Sequence, residues 1–222
     1  MKKLLLSAFL LSTLLVFSVS ATNHLTGRTI ALDAGHGGGA IGAIGYCGTT
    51  PVVEADVNLK VREDLAAMLA ADGATVFLVP QLSSRKDRVA AAEEAGAEVL
   101  ISIHHNGSSD TTVDYTKSFI TQGNDKKLAT PVHNALVAAL GLPDKGIKHD
   151  GFGITVYGDI PGVLTESYFI TNTDAACDFI GAKNRVNLEV GAMHAGLVEY
   201  FSPAGGDDEG PGGGKGNGKK PK

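Results

Sequence analysis

Val99-Leu100-Ile101-Ser102-Ile103-His104-His105-Asn106 is the stretch from which the rest of the chain is best read. An apolar strand, Val99 to Ile103, runs straight into two histidines and an asparagine. A buried strand ending in imidazoles delivers a metal ligand or a catalytic group to the rim of a sheet. Two other apolar runs end in the same way. Thr29-Ile30-Ala31-Leu32 leads into Asp33-Ala34-Gly35-His36-Gly37-Gly38, and Gly162-Val163-Leu164-Thr165 leads into Glu166. If these three strands are parallel, His36, His104 and Glu166 emerge at one sheet edge.

The segments between the strands carry helical spacing. From about Val52 to Ala71, Val57, Val61, Leu65 and Met68 recur on one face, with Gly73 as a stop. Thr50 is a candidate cap with Pro51 at the first helical position, which puts Glu54 in the first turn. Ala74 to Val79 reads as a strand. Ser84 to Asp87 resembles a capping box for a helix over Arg85 to Ala95, closed by Gly96. Lys117 to Thr121 is a further strand candidate. Leu128, Val132, Leu136 and Leu140 line a helix closed by Gly141, with Pro131 expected near its start. Gly153 to Tyr157 and Gly162 to Thr165 read as short strands, and Asn184 to Tyr200 as the last helix. Strands alternating with helices imply the α/β class: one domain, a mostly parallel twisted sheet of about six strands, and helices on both faces.

The chain of 222 residues is long enough for one full core. Its first 21 residues read as a signal peptide. Lys2 and Lys3 form the charged start, Leu4 to Phe17 the apolar centre, and Val19-Ser20-Ala21 the small-residue cleavage site. The apolar centre is short for a membrane span, and no stable anchor is expected after cleavage. Residues 22–202 then form the catalytic domain, and the Gly/Lys-rich residues 203–222 a disordered tail. The formal net charge is −5, and loss of Lys2 and Lys3 makes it more negative, which argues against nucleic acid as a partner. Export permits a disulfide. Cys47 and Cys177 are the only cysteines, and the sequence leaves both a bridge and two free thiols open.

A catalytic zinc site has three protein ligands and one position open to water. His36, Glu54 and His104 supply two imidazoles and a carboxylate for Zn2+. Glu166 is then a fourth polar group at the same rim, able to take a proton from water and pass it to a leaving amine. Asp33 is a candidate to orient His36 from behind, and Asn106 a candidate hydrogen-bond donor. His105 lies next to a ligand on a strand whose side chains alternate faces, so a bystander role is favoured over a ligand role. His24, His133, His149 and His194 read as surface or packing residues. The glycine-dense loop from Gly35 to Gly48 matches the dinucleotide fingerprint only loosely. No helix follows it directly and it lacks a P-loop lysine, so its glycines read as room for backbone close to a metal and a substrate.

Four motifs in order resemble the zinc-dependent N-acetylmuramoyl-L-alanine amidases of type 3. They are Asp33-Ala34-Gly35-His36-Gly37-Gly38; Glu54 opening a helix; Ser102-Ile103-His104-His105-Asn106; and Pro161-Gly162-Val163-Leu164-Thr165-Glu166 with Ser167 to Asn172. The resemblance covers about Arg28 to Phe201. It implies zinc held by His36, Glu54 and His104, with Glu166 as the catalytic carboxylate. It implies hydrolysis of the amide between the lactyl group of N-acetylmuramic acid and L-alanine of the stem peptide. The implied partner is peptidoglycan or a muropeptide, met outside the cytoplasm, whether secreted or periplasmic, by a monomer. The chain departs from the family pattern at Glu93, at Val79-Pro80-Gln81-Leu82, at Ala34 where Pro is usual, and at His105 where a small residue is usual. These departures bear on substrate preference and remove no ligand. The stretch from Gly107 to Asp125 is too short for the inserted blocking helix of some members. Two other readings stand beside this one: a peptidoglycan-binding protein without turnover, and a zinc peptidase or deacetylase acting on another wall bond.

Overall fold

The computed structural model describes residues 24–151 and 153–202. The signal peptide, the tail and Phe152 lie outside the described residues. The strand β5, Val99–Asn106, stands inside a six-stranded sheet. Its neighbours are β1 (Thr29–Ala34) on one side and β8 (Gly162–Phe169) on the other, and both run parallel to it. β4 (Thr75–Leu78) lies outside β1. On the far side, β6 (Thr116–Ile120) runs antiparallel to β8, and β7 (Asp144–His149) completes the sheet parallel to β6. The sheet is therefore mostly parallel, and β1, β5 and β8 end on one edge.

Side chains alternate across the pleat, so each strand feeds two cores. Ile30, Leu32, Val99, Ile101, Ile103 and Val163 face one core. The helices α1 (Glu54–Ala71), α3 (Asp125–Leu140) and α5 (Arg185–Phe201) cover it. Ala31 and Leu100 face the other, smaller core under α2 (Arg85–Glu94) and the short 3-10 turn Gly153–Val156. Both faces are thus covered, as near-continuous apolar strands require.

Several local readings are corrected. The helix expected from Val52 begins at Glu54, with no side-chain cap. Thr50–Val53 instead forms β3, paired antiparallel with β2, Ile44–Cys47. The β-branched pair Val52-Val53 favours that extended backbone. Gly153–Tyr157 is not a strand but opens as the 3-10 turn, with Ile154 in the smaller core. Pro131 sits in the interior of α3 rather than near its start, where it removes one rung of the helix ladder. Ser84 does cap α2, accepting from the Asp87 N–H at 3.2 Å. Three elements had no counterpart in the sequence reading: β2, β7 and α4 (Thr173–Ile180), which Asn172 caps by accepting from the Asp174 and Ala175 N–H groups.

Cys47, at the end of β2, is bonded to Cys177 in α4, with Cα atoms 4.7 Å apart. The bridge ties the β2–β3 hairpin, which leads straight into Glu54, to an element 130 residues away in sequence. Closing so long a loop restricts the unfolded chain most. Replacing both cysteines by serine is expected to cost about 4 kcal/mol and to lower the melting midpoint by roughly 10 °C. Thermal unfolding followed by circular dichroism checks this, and an unchanged midpoint counts against it.

Candidate metal centre

Glu54 is the first residue of α1, and burial leaves it 4% exposed. Its Oε1 lies 2.9 Å from His36 Nε2 and 3.1 Å from His104 Nδ1. The three donor atoms all lie within 4.8 Å of one another, and this is the metal-capable cluster among the described residues. The set is two imidazole nitrogens and one carboxylate oxygen, and all three residues line the cleft. That chemistry fits Zn2+ with one position left for water.

Each ligand arrives by a different route. His104 and Glu166 are register partners on adjacent parallel strands, so their side chains leave the same face of the sheet. His36 follows β1 and holds a left-handed backbone, φ 64°. Glycines clear the space. A Cβ on Gly35 would meet the His104 ring at 2.3 Å, and one on Gly42 would meet Glu54 Oε2 at 2.4 Å.

The unusual backbone at His36 is held by Arg88, which is 6% exposed. Arg88 donates to the His36 carbonyl at 2.6 Å, to the Ala34 carbonyl at 3.0 Å and to Asp33 Oδ1 at 2.9 Å. Asp33 also accepts from Ser102 Oγ at 2.8 Å. Asp33 therefore bears on the His36 backbone through Arg88, not on its ring. Asn106 accepts from the Gly107 N–H at 3.0 Å and lines the cleft. His105 turns to the opposite face of β5, where it touches Asn58 and Glu189. Arg88, Asn58 and Glu189 were not identified as site residues from sequence. Only Arg88 had a signal, as a charged residue on the inner face of a short helix.

The two carboxylates of the cleft differ electrostatically. Burial pushes the Glu54 carboxyl up, but hydrogen bonds to His104, His36 and the Ala43 N–H together outweigh it and hold the group well below the usual carboxylate range. Burial also pushes Glu166 up, here with the Glu54 charge acting in the same direction and Lys117 against it, to about 8. Glu166 Oε2 is buried and makes no hydrogen bond. The cleft these groups share has a volume of about 520 Å³, with Arg85, Ser83 and Asn106 on its walls.

The chain is similar to known proteins over most of its length. Residues 30–184 match the family Amidase_3, N-acetylmuramoyl-L-alanine amidase. The chain is 32% identical over 192 residues to YqiI of Bacillus subtilis, an uncharacterized protein, covering 82% of this chain and 88% of that one. It is 32% identical over 190 residues to the N-acetylmuramoyl-L-alanine amidase LytC of the same organism, covering 81% of this chain but 36% of LytC. Among solved structures, the catalytic domain of the amidase CwlV from Bacillus (Paenibacillus) polymyxa superposes with a TM-score of 0.71 at 26% identity, covering 78% of this chain and 98% of that domain. An N-acetylmuramoyl-L-alanine amidase from Clostridium difficile gives 0.72 at 25% identity, covering 80% and 98%. The chain belongs to the N-acetylmuramoyl-L-alanine amidase family, type 3.

Proposed function

We propose that the protein is an exported, zinc-dependent amidase that hydrolyses the bond between N-acetylmuramic acid and L-alanine in peptidoglycan. The observation that carries this reading is the convergence of His36, Glu54 and His104 beside a buried, unpartnered Glu166 oxygen. Zinc bound there supplies a Lewis acid that acidifies water and polarises the scissile carbonyl. His36, Glu54 and His104 hold the ion, with Glu54 balancing part of its charge.

Glu166 moves the proton. It lines the same cleft as His36, Glu54 and His104, and its Oε2 is committed to no hydrogen bond within the protein. Without a cation it holds a proton at neutral pH, since its carboxyl lies at about 8. Positive charge held by the three donors would offset the Glu54 charge, the second cause of that rise, and so favour the ionised form. Ionised, Glu166 would accept a proton from water and return it to the nitrogen of L-alanine as the amide breaks. A donor of intermediate pKa suits both halves of that exchange.

The Cys47–Cys177 bond supports action outside the cytoplasm, because it belongs to an oxidising compartment. Among the described residues no helix is long and apolar enough to cross a membrane. The residue cluster also favours turnover over mere binding, because a binding module gains nothing from an acid held beside three ligands.

Purified peptidoglycan treated with the full chain is expected to release stem peptides with a new L-alanine amino terminus. A chelator is expected to stop release and added zinc to restore it. Mass spectrometry of the products checks the bond. Lactyl-linked alanine remaining in every product would point to another wall bond, and full activity after metal removal would overturn the zinc requirement. Glu166→Gln is expected to lower kcat by about 10²- to 10⁴-fold while one zinc per chain is retained.

The same variant has a stability signature in the metal-free protein. The folded state keeps a proton on Glu166 from its ordinary value of 4.5 up to about 8, and the unfolded state does not. The contribution of Glu166 to stability is therefore greatest below 4.5 and is lost as pH rises through 8. Glu166→Gln carries no such penalty. Its advantage over the parent is expected to grow across that window to a few kcal/mol (roughly 1.4 per pKa unit). Urea unfolding at several pH values measures it, and a constant difference counts against the burial of an ionisable Glu166.

A further inference from the structure

Behind the metal centre, on the opposite face of β5, lies a buried polar chain. His105 Nε2 is 3.0 Å from Glu189 Oε2, and both side chains are fully buried. His105 Nδ1 is 2.7 Å from Asn58 Oδ1. Asn58 is itself fully buried, and its amide nitrogen donates to the Gly35 carbonyl at 3.0 Å and toward Glu54 Oε1 at 3.5 Å. The backbone N–H of His105 also donates to Glu54 Oε1, at 3.3 Å. The chain thus joins α5 to the metal ligand on α1 and to the glycine that precedes His36.

Donor and acceptor roles propagate along it. The Asn58 nitrogen faces a carbonyl and a carboxylate, so its oxygen is left to face His105. An amide oxygen only accepts, so His105 Nδ1 must carry a proton. His105 Nε2 and Glu189 Oε2, 3.0 Å apart, then need one proton between them to make a hydrogen bond. Remove the Glu189 end, and Nε2 is left buried without a partner, so Asn58 alone has to hold the ring in its Nδ1–H form. With the proton on Nε2 instead, Nδ1 and Asn58 Oδ1 are two acceptors 2.7 Å apart, and the amide must turn over to relieve them. Turning it withdraws the N–H groups from Gly35 and Glu54.

We infer that Glu189 is a positioning residue for the metal centre, acting through His105 and Asn58 to aim the Asn58 amide at Glu54 and Gly35. This rests on His36, Glu54 and His104 being the zinc ligands. It explains why this chain carries a histidine at position 105: with Glu189 behind it, His105 is a keystone of the support for the ligands, not a ligand. Outer partners of this kind tune metal affinity because they fix the ligand before the ion arrives.

The pair Glu189→Met and Glu189→Gln tests this in the full mature chain. Methionine fills similar volume but cannot pair with the ring. Glutamine can donate to Nε2 and so keeps the proton on Nδ1. Zinc affinity is read by competition with a chromophoric chelator, and the protonated ring nitrogen by nitrogen-15 NMR of the metal-free protein. The parent is expected to show a protonated His105 Nδ1. Glu189→Met is expected to weaken zinc binding about 10- to 100-fold and to lose the Nδ1–H signature, and Glu189→Gln to recover both. Unchanged affinity in folded Glu189→Met overturns the proposal. So does a parent His105 with a bare Nδ1, a result that needs no variant to fold. A parent that binds no zinc but shows the expected Nδ1–H overturns the metal reading while the hydrogen-bond chain stands.

Discussion

One oxygen atom, Glu54 Oε1, is where the fold and the chemistry meet. It lies within 3.5 Å of His36 Nε2, His104 Nδ1, Asn58 Nδ2 and the His105 N–H. A carboxylate buried this deeply is costly unless every lone pair has a partner. The partners come from the end of β1, the end of β5 and the body of α1. Satisfying that one group therefore requires β1 and β5 to be parallel neighbours and α1 to start at their edge. Helix initiation contributes as well. Glu54 occupies the first turn, where a negative charge is favoured by the helix dipole, and the hairpin before it sets where that turn begins. The disulfide acts at the same place, since it anchors the hairpin from the far side.

The alternation of β5 divides labour between the two sheet faces. His104 faces the smaller, open side, where only α2 and a short turn cover the sheet and a cleft remains. His105, one residue on, faces the larger closed core under α1, α3 and α5. Identical side chains thus meet opposite solvation. On the open side the imidazole meets Glu54 and the cleft. On the closed side each ring nitrogen meets a buried partner, Asn58 Oδ1 at Nδ1 and Glu189 Oε2 at Nε2. The register shift in β5 between His104 and Asn106 falls where the strand stops serving the core and starts serving the cleft.

Much of this was legible because it is written in local pattern. The apolar runs that end at His36, His104 and Glu166 mark buried parallel strands, and their common edge follows from topology alone. What was not legible depends on partners distant in sequence. Glu189 reads as an ordinary helix glutamate until α5 is seen against β5. His105 looks idle until Asn58 and Glu189 are found behind it. β7, Asp144–His149, carries no apolar alternation because it is an edge strand with one neighbour, and exposed edges favour lysine over aliphatics. The missed start of α1 has the opposite cause. Val52 and Val53 satisfy a helical period, yet their β-branching and the pairing with Ile44 and Gly45 favour the hairpin. The capping signal of Asn172 was present but lay inside a stretch read for its family motif.

The two carboxylates of the cleft complete the physical picture, because the same burial drives them apart. Both lose water, which favours the neutral acid. Glu54 regains more than it loses, through two imidazoles and a backbone N–H, and stays ionised as a ligand should. Glu166 has no hydrogen bond to its buried oxygen and sits in the field of Glu54, so it stays protonated until positive charge arrives. A pair of acids whose surroundings separate their affinities for the proton has its roles assigned by those surroundings. The acid suited to bind a cation is the one the fold surrounds with donors. The acid suited to carry a proton is the one it leaves bare.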